Sequence, residues 1–198
     1  MILFLDVISP APKFVLIDNN KVIESLDILD KKSNKISNCL HNKFLILQKR
    51  HNLLDTLKNL IICTGPGSFT SLRIGISFMF GISYSKQIPI FGISFTKLYS
   101  QFIMINDFYS TLIAISSANN QNFICLPFNH ENYQYKILKI NDKHSFDNVD
   151  FKPYSKCISN YILPGFMNKL LISNIVKLEC INLDDKLQDI VLKFSKNK

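Results

Sequence analysis

The chain has 198 residues, 47% of them hydrophobic and 12% aromatic, and a net charge of +8. That length makes one large domain or two small ones and buries roughly 70% of the unfolded surface, so folding requires neither a disulfide nor a metal. The composition excludes a disordered chain. The charge leaves two readings open, a weak electrostatic affinity for nucleic acid or drift in a chain rich in Lys, Asn and Ile. The lysines are scattered, apart from "DKKSNK" and the terminal "KFSKNK". Without a clustered basic patch or an aromatic RNA motif, a plain RNA-binding protein is the weaker rival.

"MILFLDVIS" has a very short apolar run, no basic start and an internal Asp6, so it does not read as a secretory leader. The longest apolar helical stretch, Leu72 to Ile82, falls short of the ~20 residues that span a bilayer. A soluble, cytoplasmic protein is expected. Cys39, Cys63, Cys125, Cys157 and Cys180 are widely spaced with no CxxC pair, and read as free thiols in a reducing compartment.

In chain order, "MILFLDVIS", "KFVLID" and "KVIESLDIL" read as three strands in an antiparallel meander. Asn38–Leu57 reads as a helix, with Leu40, Phe44, Leu47 and Leu54 in one stripe. "LIIC" is a buried strand, and a glycine loop follows it. Thr70–Ser85 reads as a second helix, capped by Ser68 or Thr70. "PIFGIS" is another buried strand. A second lobe repeats the theme: "STLIAISSANNQNFICLPFN" as two strands around an Asn-rich hairpin, then "NYQYKILKI" as a third. "PGF" reads as a turn. "MNKLLISNIVKL" and "DDKLQDIVLKF" read as helices, the second started by Asp184 and Asp185.

Five of the six glycines, Gly65, Gly67, Gly75, Gly81 and Gly92, fall in or just after "CTGPGSFTSLRIGISFMFGISYSK". The loop fails the Walker pattern, having no lysine in place, and fails the dinucleotide pattern, with Thr70 at the third glycine. Pro66 removes one donor. A tight turn that admits the helix close to the sheet is the simpler reading. Along the helix, Ser71, Gly75, Ser77, Gly81 and Ser85 share one broad side, interleaved with Ile74, Phe78 and Ile82. Leu72, Ile76, Met79 and Phe80 are read as the opposite side. Arg73 is the only charge before Lys86. A helix with so little polar surface is either sandwiched in its own domain or covered by a partner. The partner reading assigns Leu72, Ile76, Met79 and Phe80 to the interface, joined by Leu40, Phe44 and Leu47 of the first helix.

"GPGSFTSLRIG" resembles the hallmark GPGSFTGLRIG of the bacterial tRNA threonylcarbamoyladenosine biosynthesis family TsaB, with Ser71 in place of a glycine. The likeness runs through "PIFGIS", which matches P-[IL]-x-G-[VI]-S, and back to "LFLD", covering roughly residues 1–101. The resemblance implies an α/β, actin-like ATPase (ribonuclease H-like) fold of two related lobes, taken as residues 1–105 and a reduced lobe 106–198. It marks Gly65, Pro66, Gly67, Ser68, Phe69, Thr70 and Arg73 as the family loop. It implies a non-catalytic subunit that pairs with the catalytic TsaD subunit through the first two helices. A TsaE-like ATPase completes the complex, which transfers threonylcarbamoyl to the adenosine next to the tRNA anticodon. The resemblance implies no cofactor of the chain's own, ATP or ADP at the interface with the partner, contact with tRNA through the complex and no membrane, and leaves a homodimer or a monomer open when the chain is alone.

The chain departs from the family in several places. Its first strand continues as "DVISPAP", where Pro10 and Pro12 cannot donate to phosphate. The family's His-Ser pair has no clear counterpart, His41 being the weak candidate. The usual C-terminal strand is not recognisable. Asp6 reads either as a remnant of an ATPase carboxylate or as a strand-end residue bonding a turn. His41, His51, His130 and His144 lack motif-level partners, and the H-x-x-x-H of the catalytic subunit is absent from the sequence. The rival from another class is an autonomous nucleotide-using enzyme, an ATPase or small kinase of the same fold. Gly65 and Gly67 are expected to make the turn, and Gly75 and Gly81 to bring the helix close to its neighbours.

Overall fold

Two five-stranded sheets with the same strand order carry the chain. The structure is a computed structural model that describes residues 1–19, 21–30, 35–117, 121–132, 134–141, 145, 147, 149–161, 163, 165, 167, 169, 171 and 177–181. In the first sheet β1 (Ile2–Asp6), β2 (Lys13–Asp18) and β3 (Lys21–Asp27) pair antiparallel, while β4 (Asn59–Cys63) and β5 (Ile90–Ile93) extend from β1 in parallel. In the second, β6 (Thr111–Ser117), β7 (Gln121–Asn129) and β8 (Gln134–Ile140) pair antiparallel, and β9 (Lys156–Ser159) and β10 (Lys177–Cys180) extend from β6 in parallel. The orders are β3-β2-β1-β4-β5 and β8-β7-β6-β9-β10, so the repeated theme read from the sequence is a repeated topology.

Burial follows position in the sheet. All but the first residue of β1 and of β4 is buried, because these strands have layers on both faces, which is why they read as unbroken apolar runs. β3 lies at an edge and alternates exposed with half-buried residues. Two helices cover one face of the first sheet. α1 (Ile36–His51) and α3 (Phe69–Lys86) meet there through an aromatic cluster, with Phe44 and Phe78 ring centroids 5.3 Å apart and each 6.2 Å from Phe14 of β2. One core joins both lobes, running from Leu3, Phe14 and Leu60 to Ile113, Ile115 and Ile158. A smaller cluster, including Leu112, Ala114, Ile124, Met167 and Leu171, packs on the second sheet.

Several expectations are corrected. The helix expected over Asn38–Leu57 breaks at Asn52, which adopts a left-handed conformation (φ 48°) and donates its N–H to the Gln48 carbonyl. Asparagine tolerates that conformation, so α1 ends there and the single turn α2 (Leu53–Thr56) follows. β5 is half-exposed rather than buried, since it is the edge strand. Two elements were not anticipated, α4 (Phe95–Ser100) and a 3-10 helix over Ile105–Ser110. Met167, Lys169 and Leu171 are helical as expected, but Lys177 and Leu178, assigned to the same helix, lie in β10. The second sheet keeps all five strands, so the reduction of this lobe lies in its connections. The link between β8 and β9, residues 141–155, is about half as long as the link between β3 and β4, residues 28–58, which holds α1 and α2. The helix expected over Asp184–Phe194, and His144, lie outside the described residues.

Candidate partner-binding face and the glycine loop

The loop between β4 and α3 is built by contact with the rest of the fold. Gly65 has φ +119°, a conformation open mainly to glycine, and its carbonyl accepts the Phe95 N–H at 2.7 Å. A Cβ on Gly67 would lie 1.9 Å from Ile8 Cγ2 and 3.4 Å from Ser117 Cβ. The loop is therefore wedged between the chain after β1 and the end of β6, and Gly67 is needed for close approach. Ser68 caps α3, its hydroxyl accepting the Ser71 N–H at 3.4 Å.

Asp6 ends β1 and is buried. Its Oδ1 accepts the N–H groups of Ile8 (2.8 Å) and Ser9 (3.0 Å). Burial pushes its carboxyl above the usual carboxylate range against these hydrogen bonds. Asp6 is thus the strand-end residue bonding a turn. It occupies two backbone donors of the turn after β1.

The face of α3 that lies on the sheet holds Ser71, Gly75 and Ile82 of the expected small-residue side, but Met79 joins it while Ser77, Gly81 and Ser85 face outward. Ser71, Gly75, Met79 and Ile82 are buried, and Leu72 and Ile76 are half-buried against the same core. A Cβ on Gly75 would come within 2.8 Å of Val7 Cγ2 and 3.3 Å of Ile62 Cδ1. Met79 stands four residues beyond Gly75, about 40° round the helix, so the two share a face and Met79 follows Gly75 inward. Met79 is therefore removed from the expected interface, Leu72 and Ile76 are partly covered by the core, and Phe80 stays outside, 56% exposed. Leu40, Phe44 and Leu47 are likewise buried core residues of α1, because an apolar stripe at helical spacing first serves its own sheet.

The outer face of α3 carries Phe69, Arg73, Ser77, Phe80, Gly81 and Tyr84, with Phe69 71% and Tyr84 82% exposed. Among the described residues Gly81 has no atom within 4 Å of where a Cβ would stand, so it brings the helix close to none of them. Leu45 and Ile46 add exposed apolar surface on α1. Between the two helices lies a cleft of about 500 Å³. His41 and Arg73 line it, with the hydroxyls of Ser37, Thr70 and Ser77, over Leu40, Ile74 and Phe78. The Arg73 guanidinium also lies 5.6 Å from the Phe69 ring centroid, within cation–π range. Of the family loop, Phe69, Thr70 and Arg73 therefore face outward, while Gly65 and Ser68 are buried and Pro66 and Gly67 half-buried.

The other polar candidates do not line the cleft. His51 meets Glu24 of β3 at 2.6 Å and Arg50 pairs with the same carboxylate, fastening the end of α1 to the sheet edge. No sequence motif connects these residues. His130 stands beside Tyr109 and Phe108. Burial raises the thiols of Cys63, Cys125 and Cys157, the last to about 12, so they stay protonated and are poor nucleophiles. Cys39 is also buried, and Cys180 is exposed. Among the described residues no helix is long and apolar enough to cross a membrane.

Comparison with known proteins agrees with this architecture. Residues 45–150 match the family described as TsaD, tRNA N6-adenosine threonylcarbamoyltransferase. The tRNA threonylcarbamoyladenosine biosynthesis protein TsaB of Buchnera aphidicola subsp. Schizaphis graminum is 36% identical over 87 residues, which are 44% of this chain and 41% of that protein. The match thus spans under half the length of that relative. The chain is similar to two Pseudomonas aeruginosa structures, each at 14% identity. One is described as an uncharacterized protein with similarity to peptidase YeaZ, with TM-score 0.61 over 100% of this chain and 93% of that one. The other is YeaZ, with TM-score 0.58 over 98% and 93%. A Bacteroides thetaiotaomicron protein with an actin-like ATPase fold superposes with TM-score 0.56 at 10% identity, over 96% of this chain and 94% of that one. These likenesses show the two-lobed actin-like fold, and the chain belongs to the TsaD family of tRNA N6-adenosine threonylcarbamoyltransferase domains.

Proposed function

We propose that this chain is the non-catalytic subunit of the complex that makes threonylcarbamoyladenosine next to the anticodon of tRNA. It holds a TsaD-type catalytic subunit through the outer face of α1 and α3. The observation that carries this reading is the exposed apolar surface of α3 around an unpartnered helical glycine, Gly81. Phe69, Phe80 and Tyr84 would each contribute about 1.5–3 kcal/mol if fully buried, before the cost of association. A non-catalytic role is supported by Asp6, whose carboxylate takes the hairpin donors, and by the buried, protonated thiols. The complex works in the cytoplasm and meets tRNA as a whole. A TsaE-type ATPase joins it, and ATP or ADP binds at the subunit interface. Without the catalytic subunit the same face pairs two copies of this chain.

The test mixes the purified chain with the TsaD-type subunit of the same organism and measures molar mass by light scattering. A one-to-one heterodimer is expected, and two unmixed species would overturn the reading. The chain alone should hydrolyse no ATP above background. A turnover abolished by Asp6→Ala would favour the autonomous enzyme instead.

A further inference from the structure

The geometry points to a carboxylate side chain, carried by the partner's helical surface, as the occupant of the cleft between α1 and α3, with Arg73 as its cationic anchor. This inference rests on the proposed docking face and names the chemistry that face selects.

The first observation is charge. Neither α1 nor α3 contains a single Asp or Glu. Lys43, Arg50, His51 and Lys86 on these helices each find an acid elsewhere in the chain, at Asp30, Glu24, Glu24 and Asp55. Lys49, Arg73 and His41 have no acid partner among the described residues, and of these Arg73 and His41 line the cleft. Among the described residues Arg73 meets the Phe69 ring and His41 the Phe78 ring, the latter at 6.5 Å between centroids.

The second observation is the make-up of the cleft. Its hydroxyls, Ser37, Thr70 and Ser77, can donate to an anion, and Leu40, Ile74 and Phe78 form an apolar floor for a methylene stem. A carboxylate held by a guanidinium and hydroxyl donors makes charge-assisted hydrogen bonds that a neutral side chain does not.

The third is what surrounds it. Phe69, Phe80 and Leu45 are exposed on the same two helices, and among the described residues that line the cleft Arg73 is the one permanent cation. Nucleic-acid backbones are held by rows of Lys and Arg that neutralise successive phosphates. One acid set among apolar contacts belongs to a protein surface instead, where a desolvated ion pair fixes register and partner choice.

The experiment measures affinity for the TsaD-type subunit by calorimetry with wild type, Arg73→Glu and Arg73→Lys, each checked for fold by circular dichroism. Arg73 is exposed, so the variants should fold. Arg73→Glu should weaken binding about 100-fold, and an acid-to-arginine substitution on the partner's docking helices should restore it. Arg73→Lys should fall between, since lysine lacks the planar fork. Unchanged affinity of Arg73→Glu, or loss that no partner substitution rescues, would overturn the inference while leaving the docking face intact. Weak binding of Arg73→Glu to tRNA, with normal pairing to the protein, would assign Arg73 to nucleic acid and likewise overturn it. Failure of the wild type to bind at all would remove the proposed function itself.

Discussion

The inner and outer faces of α3 are made of similar residues and meet different surroundings. Inside, Gly75 is pressed against Val7 and Ile62, and Met79 is completely buried. Outside, Gly81 meets nothing, and Phe80 and Tyr84 stand in solvent. A glycine in a helix costs about 1 kcal/mol relative to alanine. At position 75 close packing offsets that cost; at position 81 nothing among the described residues does. The same pairing of small and bulky residues that seats the helix on its sheet is thus repeated on the surface, where a second surface can use it.

Substitutions separate the two faces. The largest effect is expected inside. Met79→Lys places an unpaired ammonium in the core and should cost on the order of 4–5 kcal/mol or more, visible as loss of the thermal transition in circular dichroism. A folded variant with a normal melting temperature would mean that Met79 faces outward after all. Next comes the loop that aims the helix. Gly67→Ala should cost about 1–3 kcal/mol through overlap with Ile8. The double variant Gly67→Ala/Ile8→Ala should lose less than the two single losses added together. Strict additivity would show that close approach is not the reason for this glycine. The smallest effect lies outside and has the opposite sign. Gly81→Ala should stabilise the isolated chain by about 0.5–1 kcal/mol, raising the melting temperature by about 1–4 °C. A fall in melting temperature would mean that Gly81 is already packed.

The first lobe was legible because its strands are long apolar runs and its helices span several turns. β9 and β10 were not, because "KCIS" and "KLEC" are too short and too mixed to show a period. α4 escaped because it begins directly after β5, with Ser94 as its cap, and one and a half turns carry little pattern. The direction of α3 was lost for a different reason. The helix is apolar on nearly every side, so hydrophobicity alone does not select a face, and bulky side chains were assigned outward. Position relative to Gly75 decides it, since the glycine marks the line of closest approach to the sheet. The pairs Glu24–His51 and Ile8–Gly67 link distant parts of the chain and leave no local trace in the sequence.

The central claim is that the outer face of α1 and α3 holds the catalytic subunit, and Phe80→Lys tests it most directly. Phe80 is 56% exposed, so the variant should keep the circular dichroism spectrum and melting temperature of the wild type. In the complex its ammonium would be buried among apolar contacts, and titration calorimetry against the TsaD-type subunit should show affinity reduced about 100-fold or more. A folded variant that binds with unchanged affinity would contradict the account and move the docking surface away from α3.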